Sequence, residues 1–136
     1  MTKRPWTIAL ALLAVGTLSV AVALADGAPE PIKPGYRTWK TSDCKALVNG
    51  DLNYCDTADC KALLKGDSSY CKTDDCKAVV TGNVSYCKSG DCKAVVTKNV
   101  SYCKTDDCKG HVTGNVSYCK SSSCKAIVNK NASYCE

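Results

Sequence analysis

Cysteine recurs along this chain with alternating gaps of 11 and 5 residues: Cys44, Cys55, Cys60, Cys71, Cys76, Cys87, Cys92, Cys103, Cys108, Cys119, Cys124 and Cys135. The two gaps sum to a period of 16, and the rest of the sequence keeps that register. Units begin at Asp43, Asp59, Asp75, Asp91, Asp107 and Ser123; the third reads DCKAVVTGNVSYCKSG and the fourth DCKAVVTKNVSYCKTD. A unit this short cannot bury an apolar face alone, so residues 43–136 must fold as a stacked array of six. A Lys follows the first Cys of every unit (Lys45, Lys61, Lys77, Lys93, Lys109, Lys125). A Tyr precedes every second Cys (Tyr54, Tyr70, Tyr86, Tyr102, Tyr118, Tyr134). In an array these columns become surface ladders.

Within the third unit, Cys76, Val79 and Val80 stand at i, i+3 and i+4, the stripe of a helix. Thr73 or Asp74 can cap its start, with Asp75 in the first turn, and Gly82 falls where a left-handed stop belongs. Asn83 can then cap a second short helix, Val84 to Lys88; the same slot holds Asp51, Asp67, Asn99, Asn115 and Asn131. The expected fold is all-α, a disulfide-stapled solenoid of six 16-residue repeats, each two short helices. A β-solenoid or repeated β-hairpins is the alternative, since Val-Val-Thr and Val-Ser-Tyr suit strands and Gly-Asn suits a hairpin turn. Against it, Ala78-Val79-Val80 does not alternate, and the turn becomes Lys98-Asn99 and Lys130-Asn131 in two units. Helices this short do not persist alone, so packing and covalent ties must hold them.

The chain start bears on the chemistry of the sulfurs. Residues 1–25 read as a signal peptide: Lys3 and Arg4, an apolar stretch, then Ala23-Leu24-Ala25 before Asp26. Cleavage implies export, to a periplasmic or extracellular space, with no membrane segment left behind. Residues 26–42 carry three of the four prolines and no Cys, a linker whose Tyr36 and Trp39 are expected to cover the first repeat. An oxidising compartment favours disulfides. Pairing within each unit is expected (Cys44–Cys55 and its five equivalents), because the two Cys straddle the turn and none is left over. Linking each second Cys to the next unit's first is the competing scheme; it strands Cys44 and Cys135. The alternative chemistry is a thiol-based site for copper or zinc, because the four-residue gap between Cys55 and Cys60 is compatible with zinc ligation.

Other functions find little support. The formal charge is +5, and removing Lys3 and Arg4 leaves sixteen basic against thirteen acidic residues, so nucleic acid is not expected as a partner. No paired catalytic carboxylates, nucleotide loop or nucleophile with a base is present; the chain reads as a non-enzyme without cofactors. His111, the only histidine, replaces an aliphatic residue and reads as drift rather than a base. Asn83, Asn99, Asn115 and Asn131 each begin an Asn-x-Ser sequon, although capping explains all six slots and glycosylation only four. The expectation is a structural or binding protein. Its last unit stops at Glu136 and leaves a face open to weak head-to-tail self-association.

Overall fold

Every helix in the array ends on a device that the repeat supplies, and all but the first begin on one. In the computed structural model, which describes residues 35–136, the helices are α1 (Thr41–Asn49), α2 (Ala58–Lys65), α3 (Asp74–Thr81), α4 (Gly90–Thr97), α5 (Asp106–Thr113) and α6 (Ser122–Asn129). Thr57, Thr73, Ser89, Thr105 and Ser121 cap α2 to α6, each hydroxyl accepting the N–H of the Cys three residues on. The next residue after each helix is left-handed: Gly50, Gly66, Gly82 and Gly114, but also Lys98 at φ 55° and Lys130 at φ 53°. The Asp or Asn that follows caps a single 3₁₀ turn, accepting the N–H two residues on, as Asn83 does from Ser85. These turns span Leu52–Tyr54, Ser68–Tyr70, Val84–Tyr86, Val100–Tyr102, Val116–Tyr118 and Ala132–Tyr134. The repeat is all-α, and the described residues contain no strand. No described helix is long and apolar enough to cross a membrane.

The array closes on itself. Each helix packs against the next, and α1 packs against both α2 and α6, with the turn Ala132–Tyr134 also against α1. Six units therefore form a ring, not an open solenoid. The end faces on which head-to-tail stacking was expected to depend are buried against each other. The proposed signal peptide, 1–25, lies outside the described residues.

Closure also corrects the disulfide pairing. The bridges run Cys55–Cys60, Cys71–Cys76, Cys87–Cys92, Cys103–Cys108 and Cys119–Cys124, joining each unit to the next. Cys44–Cys135 completes the circle, and no free cysteine remains. Pairing within a unit fails because its return leg is not a second helix lying antiparallel to the first. One 3₁₀ turn and an extended Cys carry the chain across to the start of the next helix, where that unit's first Cys sits. All six Cα–Cα distances fall between 5.4 and 5.7 Å, so the closing bridge has the same span as the other five.

Between helix and return leg the chains touch. Ala46, Ala62, Ala78, Ala94 and Ala126 have no exposed surface, and a Cβ on Gly110 would come 2.8 Å from Cys119 Sγ. The first cysteines beside this column are 0–1% exposed. Leu63 and Val79 share a buried cluster with Tyr36 and Trp39 of the segment before α1, and His111 meets the same segment. Gly35 abuts the His111 ring, Arg37 pairs with Asp59 at 3.2 Å, and the Trp39 N–H donates to Ser123 Oγ at 3.2 Å. A five-residue segment touching the second, fifth and sixth units must lie across the ring's opening. Tyr36 and Trp39, 8% and 5% exposed and packed edge to face, are thus a plug for the whole ring rather than a cover for its first repeat.

The bridges differ in what they close. Cys44–Cys135 spans 91 residues whereas the others span 5, so loop entropy assigns about 4.6 kcal/mol to the first and about 2 kcal/mol to each of the rest. Cys44→Ser/Cys135→Ser should therefore lower stability about twice as much as Cys87→Ser/Cys92→Ser in guanidinium melts; equal losses would contradict the closed ring. Separately, Lys98→Gly should stabilise by about 1 kcal/mol, because it relieves a left-handed side chain.

Candidate functional site: the unit junctions and the outer tyrosine turns

The residue before the first Cys organises each junction. Asp43 Oδ1 accepts the N–H of Asp56 at 2.8 Å and of Thr57 at 3.1 Å, and Oδ2 accepts the Thr57 hydroxyl at 2.8 Å. That hydroxyl accepts in turn from the Cys60 N–H at 3.2 Å. A backbone donor, a hydroxyl and a carboxylate thus stand in series, each polarising the next. Asp59, Asp75, Asp91 and Asp107 occupy the same place and accept from Lys72, Lys88, Lys104 and Lys120 N–H. In the sixth unit Ser123 replaces Asp, and its partner is the Trp39 N–H of the plug. The plug enters the ring where the chain of a seventh unit would run.

Each junction carboxylate also sits beside its disulfide. In four groups, Asp43 with Cys55 and Cys60 and the equivalents at Asp59, Asp75 and Asp91, one carboxylate oxygen and two sulfurs lie within 4.8 Å of one another. Every one of those sulfurs is half of a disulfide, so the oxidised ring holds no thiolate there. The sulfurs and carboxylates serve structure in this state.

The ladders lie outside. All six repeat tyrosines are 38–49% exposed, and none of the 3₁₀ turns has a buried residue. Lys61, Lys77, Lys93 and Lys125 are exposed, while Lys45 and Lys109 are half-buried. The two columns do not form one pairing system; Tyr70 instead accepts from Lys65, a lysine outside the column, its Nζ 3.0 Å from the hydroxyl. Lys109 instead pairs with Asp106 at 3.3 Å.

At the plug, a cleft of about 280 Å³ is lined by Tyr36, Arg37, Thr73, Asp74, Asp75, Lys88 and Ser89. Burial holds the Tyr36 hydroxyl well above its ordinary pKa of 10, opposed by Arg37 and assisted by Asp59 and Asp75. Arg37 lies 4.0 Å from the Trp39 ring centre and binds Asp59, so it ties the plug to the second unit. No family model matches the chain, and neither a curated protein nor a solved structure matches it.

Neither the junction role of the Asp column nor the seat of His111 was expected. The first had a signal: an Asp before the first Cys in five units, always with a hydroxyl residue 14 positions on. His111 had none, because its partner is Gly35 in a segment without a repeat.

Asp91→Ala should destabilise the ring by about 2–4 kcal/mol, leaving the Lys104 N–H and the Thr105 hydroxyl without their acceptor. At Asp107, burial pushes the carboxyl up, but hydrogen bonds from Ser121 and the Lys120 and Ser121 N–H, with the nearby His111, hold it below its ordinary 3.8. A lowered folded-state value stabilises above the unfolded carboxylate pKa, and that stability is lost as pH falls through the folded value. Urea midpoints should hold from neutrality to the unfolded carboxylate pKa and decline below it. In Asp107→Asn this acid decline should be smaller.

Proposed function

We propose that this chain is an exported, non-catalytic binding scaffold: a ring locked by disulfides that presents one surface motif six times. The observation that carries the reading is the circular set of bridges, which leaves no cysteine free. Such a set forms and persists in an oxidising space, in keeping with the export expected from residues 1–25. A core made chiefly of cystine and alanine, with ten large apolar side chains left outside, supports a role in contact rather than chemistry.

A second reading, sequestration of copper or zinc, draws on the carboxylate–sulfur groups and requires their reduction. Intact mass separates the two. Chain recovered from the exporting compartment should begin at Asp26 and weigh twelve hydrogens less than its fully reduced form. A mass matching free thiols plus bound metal would overturn the scaffold reading in favour of the thiolate one.

A further inference from the structure

The 3₁₀ turns form the outer layer of the ring, each packed over its own helix and, from the second onward, over the next as well. Among the described residues, every exposed large apolar side chain lies on them. The densest run is in units three to five, where Val84, Tyr86, Val100, Tyr102, Val116 and Tyr118 are each 38–46% exposed. In the first unit Tyr54 stands beside Leu52, but in the second and sixth the apolar neighbour shrinks to Ser68 and Ala132.

Charge divides the ring along the same line. Residues 43–74 hold four Lys and six Asp, whereas residues 75–122 hold seven Lys and four Asp. Three of those four, Asp75, Asp91 and Asp107, are taken up by backbone donors at the junctions. Asp74, at the border, pairs with Lys88 at 3.8 Å, both side chains well exposed (47% and 74% respectively), a contact weak enough to exchange. Every unit carries an exposed Tyr, and in this arc alone each Tyr stands beside an exposed Val on a surface with excess lysine. Lys88, Lys104 and Lys120 each follow an exposed Tyr by two residues.

We propose that this arc, the outer face of units three to five, binds an anionic polysaccharide. Tyr86, Tyr102 and Tyr118 stack on the apolar faces of sugar rings, and Lys88, Lys104 and Lys120 pair with carboxylate groups along the polymer. The proposal rests on the binding-scaffold reading. A convex surface with one aromatic and one cation per unit suits a flexible polymer that repeats its own ring and charge. A flat bilayer would meet only part of such an arc. Nucleic acid is disfavoured because the arc has lysine but no arginine, the residue that recognises phosphate and guanine bidentately. The exposed Asn83 and Ser85, with their equivalents, add short polar groups beside each Tyr.

The test measures binding of the oxidised chain to polygalacturonate by titration calorimetry, against neutral dextran, poly-dT and phosphatidylglycerol vesicles. Polygalacturonate should bind, and raising salt from about 0.1 M to about 1 M should weaken it strongly. Tyr86→Ser/Tyr102→Ser/Tyr118→Ser and Lys88→Gln/Lys104→Gln/Lys120→Gln should each cost about ten-fold, near 1.4 kcal/mol. Tyr54→Ser, on the acidic side, should change affinity less than about two-fold. Circular dichroism and intact mass must show each variant folded with all six bridges. No binding to polygalacturonate, binding unmoved by both triple variants, or tighter binding to poly-dT or vesicles would overturn the assignment. The mass measurement keeps this failure separate: six intact bridges without polysaccharide binding refute the surface, whereas free thiols with metal refute the scaffold.

Discussion

The ring depends on one junction, repeated. An eight-residue helix ends before its own hydrogen bonds can sustain it, so each must be held at its first turn by something outside itself. At the second to sixth helices three holds converge there: the disulfide from the preceding unit, the hydroxyl cap, and the carboxylate that accepts from the incoming backbone. The first helix keeps the disulfide alone of these, with Ser123 and Lys40 in the other two places. At Asp43 the carboxylate collects two N–H groups and one hydroxyl. It reads the position of the next unit through polar geometry, while the bridge fixes it covalently. A side chain that only capped its own helix would leave the next unit unplaced.

Putting covalent and polar ties at one point frees the remainder of the unit. The helix needs only Ala against its return leg and one aliphatic residue towards the centre. This explains a core of small residues and sulfur, and why large apolar side chains remain outside. Size has a consequence as well: the neighbours of each unit cannot bury much, so the chain gains most by having no ends at all. Closing the circle gives the first and last units the same two neighbours as every other.

Much of the local structure was legible because it is short-range. Thr73, Gly82 and Asn83 announce a start, a stop and a second start within eleven residues: the Thr73 and Asn83 side chains accept from N–H groups three and two positions on, and Gly82 takes the left-handed turn between. The connectivity was not legible. Both pairing schemes obey the period, and the choice turns on whether the return leg is a helix or a single 3₁₀ turn, a matter of tertiary direction. The stranding of Cys44 and Cys135 counted against the correct scheme only while the array was imagined open. Among the site residues, the exposure of the tyrosines could be guessed from their column. That of the valines beside them, exposed in units three to five, could not, because it depends on how each turn packs over its helix.

The departures from six-fold repetition are where the ring acquires a direction. Ser123 lacks the carboxylate of its five counterparts and leaves room for the Trp39 N–H. His111 fills the place of an aliphatic residue and stands against Gly35, where a Cβ would come within 2.3 Å of the His111 side chain. Gly110 beside it gives up the Ala of the other units, in the same helix that meets the plug. Arg37 reaches across to Asp59, whose carboxylate also holds the Lys72 N–H. A plug of five residues contacts different units through different chemistry, so it can seat in one rotation only. Six equal units could close without it, but their opening would be the same in every direction. The plug gives the second, fifth and sixth units contacts of different kinds, and so adds to the differences that their sequences already carry.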